Sequence, residues 1–228
     1  MPRVGPARDA WAVQDNSLKA PWTFRAKEKI QCLCEGGRWC TREDPARQRG
    51  GNAIPGLHCS WVGDKQNVLA MARPSQDKIV KMAMVDAFLK HNIGMILNLQ
   101  EVGEHDSCGP GNLKHSGFSY DPESFMTARI GVYNFSWKDM GVPDLNKIMD
   151  IVQVMDYVTG SEGRKIAVHC HAGLGRTGLA IACHFLYSLG YSARKAIETV
   201  RRDRQGSIQT REQQLFVYVF EQYLAHLR

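Results

Sequence analysis

No run of this chain approaches the ~18 consecutive apolar residues that a membrane-crossing helix needs, so no stable membrane insertion is expected. The opening MPRVGPARDAWAVQDNSL has no apolar stretch of the kind that heads a secretory signal. Cysteines number only seven, an odd count spread over 228 residues. That does not build a disulfide scaffold, and a reduced, intracellular and cytoplasmic setting is expected. No G-x-x-x-x-G-K-[ST] occurs, which excludes the phosphate loop of nucleotide hydrolases. There is no internal repeat. Charge of one sign is not in large excess: the net charge is +6 and the pI about 9.0. A solvated surface accounts for that balance, and nucleic acid is not an expected partner.

Order is unevenly spread along the chain. Residues 1–58 carry Pro, Gly and charge without sustained periodicity, as in CTREDPARQRGGNAIPG, and read as a loop-rich N-terminal extension. Residues 59–228 read as one domain. NVLAMA (67–72) is a short apolar run stopped by Arg73-Pro74. Ile79, Met82, Met84, Val85, Phe88 and Leu89 fall at helical spacing over 76–92. Strands are expected at 93–100, 131–137 and 165–169. Helices are expected at 144–158, at 176–190 with Gly190 as the stop, at 192–204 and at 211–227. Strands alternating with helices across long connections predict an α/β fold, a mostly parallel central sheet flanked by helices.

Within that frame AVHCHAGLGRTGLAIAC (167–183) places a cysteine, three glycines and an arginine between a strand and a helix. The loop leaves the carboxyl end of a parallel strand, where open α/β sheets bind ligands. Gly173, Gly175 and Gly178 allow backbone angles that other residues resist. Consecutive N–H groups can then converge, and the following helix adds its positive dipole end. The product is a cradle for a tetrahedral oxyanion. Cys170 stands at its lip, in surroundings that favour thiolate over thiol. Arg176 offers a planar fork for two phosphate oxygens, and Thr177 a hydroxyl for the sulfur. The alternative is a buried structural cysteine in a strand–helix turn.

HCHAGLGRTG (169–178) resembles the signature loop of the cysteine-dependent protein tyrosine phosphatases, in its dual-specificity form. WVGDKQNVLAMARPS, ILNLQEVGEH, YNFSWKDMG and SIQT extend the likeness over roughly residues 32–228. The resemblance implies the phosphatase fold and a metal-free, cofactor-free reaction through a phosphocysteine. Cys170 becomes the nucleophile and Arg176 the phosphate clamp. His171, Ala172, Gly173, Leu174 and Gly175 supply the amides. FSWKDMGVPD resembles the family's Trp-Pro-Asp loop, with Lys138 in the middle place. That makes Asp139 the general acid and base and Trp137 the loop's anchor. Asp144 is the rival, although Pro143-Asp144 reads as a helix start. GSIQTREQ resembles the glutamine loop, with Gln209, and second Gln213, at the water and the substrate. A polar helix start capped by Thr210 fits the same residues.

Other residues invite chemistry less specifically. Cys32, Cys34, Cys40 and Cys59 with His58 suggest zinc, yet their spacing lacks paired C-x2-C knuckles. His169 and His171 flank Cys170 and read as loop-shaping, since metal ligation there would block the nucleophile. Glu104 and His105 read as a brace for Arg176, a substrate contact or a solvated turn. Cys108 or Cys183 could trap an oxidised Cys170. RRDR (201–204) reads as a charged helix end. The expected substrates are phosphoproteins, phosphotyrosine first and phosphoserine or phosphothreonine second. A phosphoinositide phosphatase is the runner-up; the signature loop's His171 and Leu174 argue against it, because lipid-acting relatives tend to carry lysines there. A binding module without turnover is the third reading.

Overall fold

The protein is described here by a computed structural model over residues 52–227. Five short strands form one sheet in the order β1-β2-β5-β3-β4. They are β1 (Cys59–Val62), β2 (Val68–Met71), β3 (Ile93–Asn98), β4 (Gly131–Asn134) and β5 (Lys165–His169). Only the β1–β2 pair is antiparallel; β2–β5, β5–β3 and β3–β4 run parallel.

The central strands are apolar at successive positions because both faces are covered. Alternation of side chains divides them between two layers. Val68, Ala70, Leu97, Ile166 and Val168 face a cluster shared with helices α4 (Leu145–Asp156), α5 (Gly175–Leu189), α6 (Ala193–Asp203) and α7 (Arg211–Leu227). Leu69, Met71, Ile93, Ile96 and Ala167 face the other, shared with α1 (Gln76–Lys81), α2 (Met84–Lys90) and the one-turn α3 (Glu123–Met126). Ile54 and Leu57, ahead of β1, are buried in that second cluster. Helix α5 is buried at every position from Gly175 to Leu186, which explains its run of apolar residues on all faces.

The expected continuous helix over 76–92 divides in two. Ala83 takes a left-handed conformation, φ 44° and ψ 49°, between α1 and α2. Ile79, Met84 and Phe88 are the buried residues of the pair. In an unbroken helix Met84 would sit about 140° around from Ile79, so the kink lets both reach the core. The strand expected over 131–137 stops at Asn134; Phe135 N–H still reaches Asn98 O at 2.9 Å before the chain leaves the sheet. Helix α4 ends at Asp156 and unwinds through a π turn, Tyr157–Ser161. Gly190 closes α5 in the left-handed region, as expected. Strand β1 and α3 had no counterpart in the sequence reading, each being too short to show a period.

Among the described residues no helix is long and apolar enough to cross a membrane. Cys32, Cys34 and Cys40 lie outside the described residues. Cys59 is buried in β1, where its Sγ accepts from Ile54 N–H at 3.3 Å. The carboxyl ends of β2, β3 and β5 open on one edge of the sheet, and the loops leaving them build the site.

Candidate active site

Residues 170–174 connect β5 to α5 and form a tight loop. Its carbonyls all turn outward. His171 O accepts from Arg73 N–H at 2.9 Å, and Leu174 O from the N–H groups of Gly178 and Ile208 at 3.0 and 3.2 Å. Ala172 O and Gly173 O accept from the Arg204 guanidinium at 3.1 and 2.5 Å. Among the described residues the amides of Ala172, Gly173, Leu174 and Gly175 donate to no protein group. A loop whose carbonyls are drawn out and whose amides are left over is an anion cradle.

Arg204 is therefore more than a charged helix end. It is buried, it also donates to Ser60 Oγ and His58 O, and burial pushes its pKa down to about 10. Its neighbour Arg201 holds Ser207 O and Ile208 O, while Arg202 pairs with Asp203 and Asp64 at the surface.

The glycines act in two ways. Gly173 alone has a positive φ, +67°, and a Cβ there would lie 1.9 Å from Met71 O. Gly175 and Gly178 sit inside α5, and their requirement is room: a Cβ on Gly178 would fall 2.8 Å from Ser207 Cβ.

The Arg176 side chain is fully buried. Glu104 takes both terminal nitrogens in a bidentate pair, and Nη1 also donates to Leu99 O (3.0 Å) and Trp137 O (2.9 Å). Nη2 meets Asp139 Oδ1 at 3.1 Å. The Nε–H is buried without a partner among the described residues. The Arg176 pair holds Glu104 well below the usual carboxylate range against the opposing effect of burial, and Glu104 in turn raises Arg176. Of the three readings for Glu104, the structure gives the brace.

Asp139 sits in the turn after Trp137, half exposed, with Oδ2 3.2 Å from His105 Nε2. Burial raises its pKa, but His105 and Arg176 outweigh that and the net shift is downward. Burial alone would lower His105, but Asp139 and Glu104 raise it to about 9. Trp137 is buried and its Nε1 donates to Gly141 O at 3.2 Å, which anchors the turn. Asp144 stands apart: it is the N-cap of α4 and accepts from Lys147 N–H at 2.8 Å.

His169, fully buried, has Nδ1 3.2 Å from Cys170 O and Nε2 2.8 Å from Tyr120 Oη. A carbonyl only accepts, so Nδ1 carries the proton and Nε2 accepts from the tyrosine. Burial keeps the ring neutral, with its pKa pushed down to about 3. Thr177 Oγ1 is buried with no hydrogen bond among the described residues.

Gln209 reaches the same place. Its Oε1 lies 2.8 Å from where a Cβ on Gly175 would be. Gln213 also lies against Gly175, its Oε1 and Nε2 each 3.2 Å from the same point; it is fully buried with its amide engaged by protein, Oε1 accepting from Gln209 N–H (2.9 Å) and Thr210 N–H (3.4 Å) and Nε2 donating to Gly141 O (3.2 Å). Thr210 Oγ1 accepts from Gln213 N–H at 3.1 Å, completing a capping box at the start of α7. Cys183 is fully buried in α5, and burial raises its thiol pKa.

A family profile described as protein-tyrosine phosphatase matches residues 118–222. Protein tyrosine phosphatase domain-containing protein 1 of Mus musculus is 51% identical over 194 residues, 85% of this chain and 25% of that protein. The chain belongs to the protein tyrosine phosphatase superfamily. Tyrosine-protein phosphatase CDC14 of Candida albicans is 26% identical over 148 residues, 63% of this chain and 24% of that protein. The chain thus spans about a quarter of the length of these relatives. Among solved structures, kinase associated phosphatase with its catalytic-site cysteine changed to serine superposes with a TM-score of 0.60 at 24% identity, over 74% of this chain and 96% of that one. That likeness carries the fold.

The sequence shows Arg73 only as the stop of an apolar run. Its guanidinium donates to the carbonyls of Glu104, His105 and Cys108 and to Asn112 Oδ1, so it holds the loop that holds Arg176. The packing requirement at the cradle is testable. Gly190 has φ +63° and open space around its absent Cβ. Gly190→Ala is expected to cost about 1 kcal/mol in urea titrations, the conformational term alone. Gly173→Ala carries the same term plus a backbone overlap and is expected to cost at least about 2 kcal/mol more.

Proposed function

We propose that this chain is a phosphoprotein phosphatase working through a phosphocysteine, with phosphotyrosine as its first substrate class. The single observation that carries this reading is the unpartnered Arg176 Nε–H beside a loop with free amides and a cysteine. Every other donor of that guanidinium is taken by Glu104, by carbonyls or by Asp139. The catalytic unit in this reading is residues 59–228.

A phosphate dianion entering the cradle meets the amides of residues 171–175 and Arg176 Nε–H. It displaces Asp139 from Nη2 and completes a two-point grip. Cys170, in electrostatic reach of Arg176 and Arg204, attacks phosphorus in line. The bond to the leaving oxygen breaks, and that oxygen takes a proton from Asp139. The arriving dianion supplies the reason Asp139 holds that proton: a neighbouring negative charge raises a carboxyl pKa. Thr177 Oγ1 donates to the sulfur as it leaves again. In the second step Asp139 removes a proton from water positioned by Gln209, and the water oxygen displaces Cys170 from phosphorus. The places of His171 and Leu174 hold no lysine of the kind that would select a multiply phosphorylated lipid headgroup, and this favours phosphoprotein over phosphoinositide.

The test is phosphate release from phosphotyrosyl, phosphoseryl and phosphoinositide substrates. Asp139→Asn is expected to lower kcat on phosphotyrosine by about 10²–10⁴-fold, with a smaller loss on an aryl phosphate whose leaving group is already a stable anion. Asp144→Asn is expected to leave kcat near the parent, and stability nearly unchanged, because an Asn oxygen caps Lys147 N–H as an Asp oxygen does and only the charge at the helix start is lost. A reversed pattern would move the acid to Asp144. Faster turnover of phosphoinositides than of phosphopeptides would reassign the substrate.

The His105 contact gives a pH test. Asp139 must be protonated to act, so kcat/KM falls as pH rises past its free-enzyme pKa. His105 is one of the charges that hold that pKa down. His105→Asn removes the cation while tolerating the positive φ of 55° at this position. The basic limb of kcat/KM is expected to move to higher pH; an unmoved limb would uncouple Asp139 from His105.

A further inference from the structure

Three side chains stand together beside the cradle: His105, which faces Asp139, and Cys108 and His171, whose side chains the mechanism above does not use. One ring nitrogen from each histidine and the Cys108 Sγ all lie within 4.8 Å of one another. Cys108 and His171 are each only 5% exposed. The geometry points to a transition-metal site, with Zn²⁺ as the ion best matched to one thiolate and two imidazoles.

The placement is built rather than incidental to one loop. Arg73 fixes all three residues: its side chain donates to His105 O at 3.0 Å and Cys108 O at 2.7 Å, and its backbone N–H donates to His171 O at 2.9 Å. A turn with Cys108 N–H on His105 O at 3.0 Å brings these two ligands together, and the His105 and His171 rings stack with centroids 4.1 Å apart. Glu104 Oε1 and Asp139 Oδ2 each lie 3.2 Å from His105 Nε2. A carboxylate on one ring nitrogen orients a metal-binding histidine and increases its basicity, which leaves Nδ1 as the ligating nitrogen. Metal–ligand bonds of about 2.0–2.3 Å put tetrahedral ligand atoms about 3.4–3.6 Å apart. Closing from the present spacing takes side-chain rotation on loops already in place.

Two imidazoles and a thiolate leave a fourth position for water, as in open three-ligand zinc sites. The thiol proton of Cys108 and the Nδ1 proton of the His105 imidazolium go to solvent on binding, so two protons leave for each ion bound. His169 does not join, because both its ring nitrogens are hydrogen-bonded. The cluster also omits Cys170, so the metal ties the 104–108 loop to the cradle without coordinating the nucleophile.

The experiment is a Co²⁺ titration of the full chain carrying Cys170→Ser, which removes the nucleophile as a competing thiolate. A near-ultraviolet thiolate-to-Co²⁺ absorption is expected, lost on adding equimolar Zn²⁺. Adding Cys108→Ser is expected to remove one equivalent of that absorption and weaken Co²⁺ binding at least about tenfold. Adding His171→Gln is expected to keep the thiolate band but shift the visible bands. Zn²⁺ is expected to raise the melting temperature of the Cys170→Ser protein and not of the Cys108→Ser double variant, with circular dichroism showing both folded. Spectra and melting shifts unchanged by Cys108→Ser would overturn the proposal, whatever cysteines outside this cluster contribute. Because the readout is spectroscopic and made without the nucleophile, failure of the phosphatase reading leaves it standing, and the reverse holds.

Discussion

The buried guanidinium of Arg176 is the point on which the site depends. Four separate segments end on it: the chain after β3 through Leu99 O, the brace loop through Glu104, the turn after β4 through Trp137 O and Asp139, and α5, which carries it. A buried cation with its partner removed costs about 3–5 kcal/mol, so these segments are locked to one arrangement. The pairing with Glu104 also leaves Nε–H buried with no partner among the described residues. Structure and chemistry therefore use different edges of one planar group, which a lysine ammonium could not provide.

Around Arg176 stand two more buried arginines, Arg73 and Arg204. Both act mainly on backbone carbonyls: Arg73 on the brace loop, Arg204 on the cradle. The cradle carbonyls held outward by Arg204 leave amides pointing the other way, so Arg204 shapes the proposed anion site from behind, while Arg73 acts on it through the brace loop. Their charge still adds to the local potential, and Cys170 is felt electrostatically by both Arg176 and Arg204. Asp139 completes the picture as a carboxylate ion-paired with Arg176, at the nitrogen where the proposed function seats a phosphate.

Strand, loop and helix around Cys170 were legible because their signals are local: an apolar run, glycines at a turn, then a helical period. Lys165–His169 appears as the expected strand, and Gly190 ends the helix that follows. Of the two readings of 206–213, the helix start is there, with Thr210 capping α7, and Gln209 reaches toward Gly175 beside it. What the sequence hid is long in range. Arg73 and Cys108 are 35 residues apart and Arg204 and Gly173 are 31 apart, and the 72-residue reach from Glu104 to Arg176 was only one of three open readings. No periodicity encodes such a pairing, and an arginine in RRDR looks like any solvated helix end until the fold buries it. The break at Ala83 was hidden for a related reason: the choice between one helix and two was made by where the core lies.

The account stands on Cys170 as the atom that takes the phosphoryl group. The direct measurement is mass spectrometry of enzyme mixed rapidly with a phosphotyrosyl substrate, quenched in acid and digested. The account predicts a phosphoryl adduct on the peptide bearing Cys170, decaying with turnover and absent in Cys170→Ser. Steady release of phosphate with no adduct on Cys170, or with the adduct on His171 instead, would contradict it.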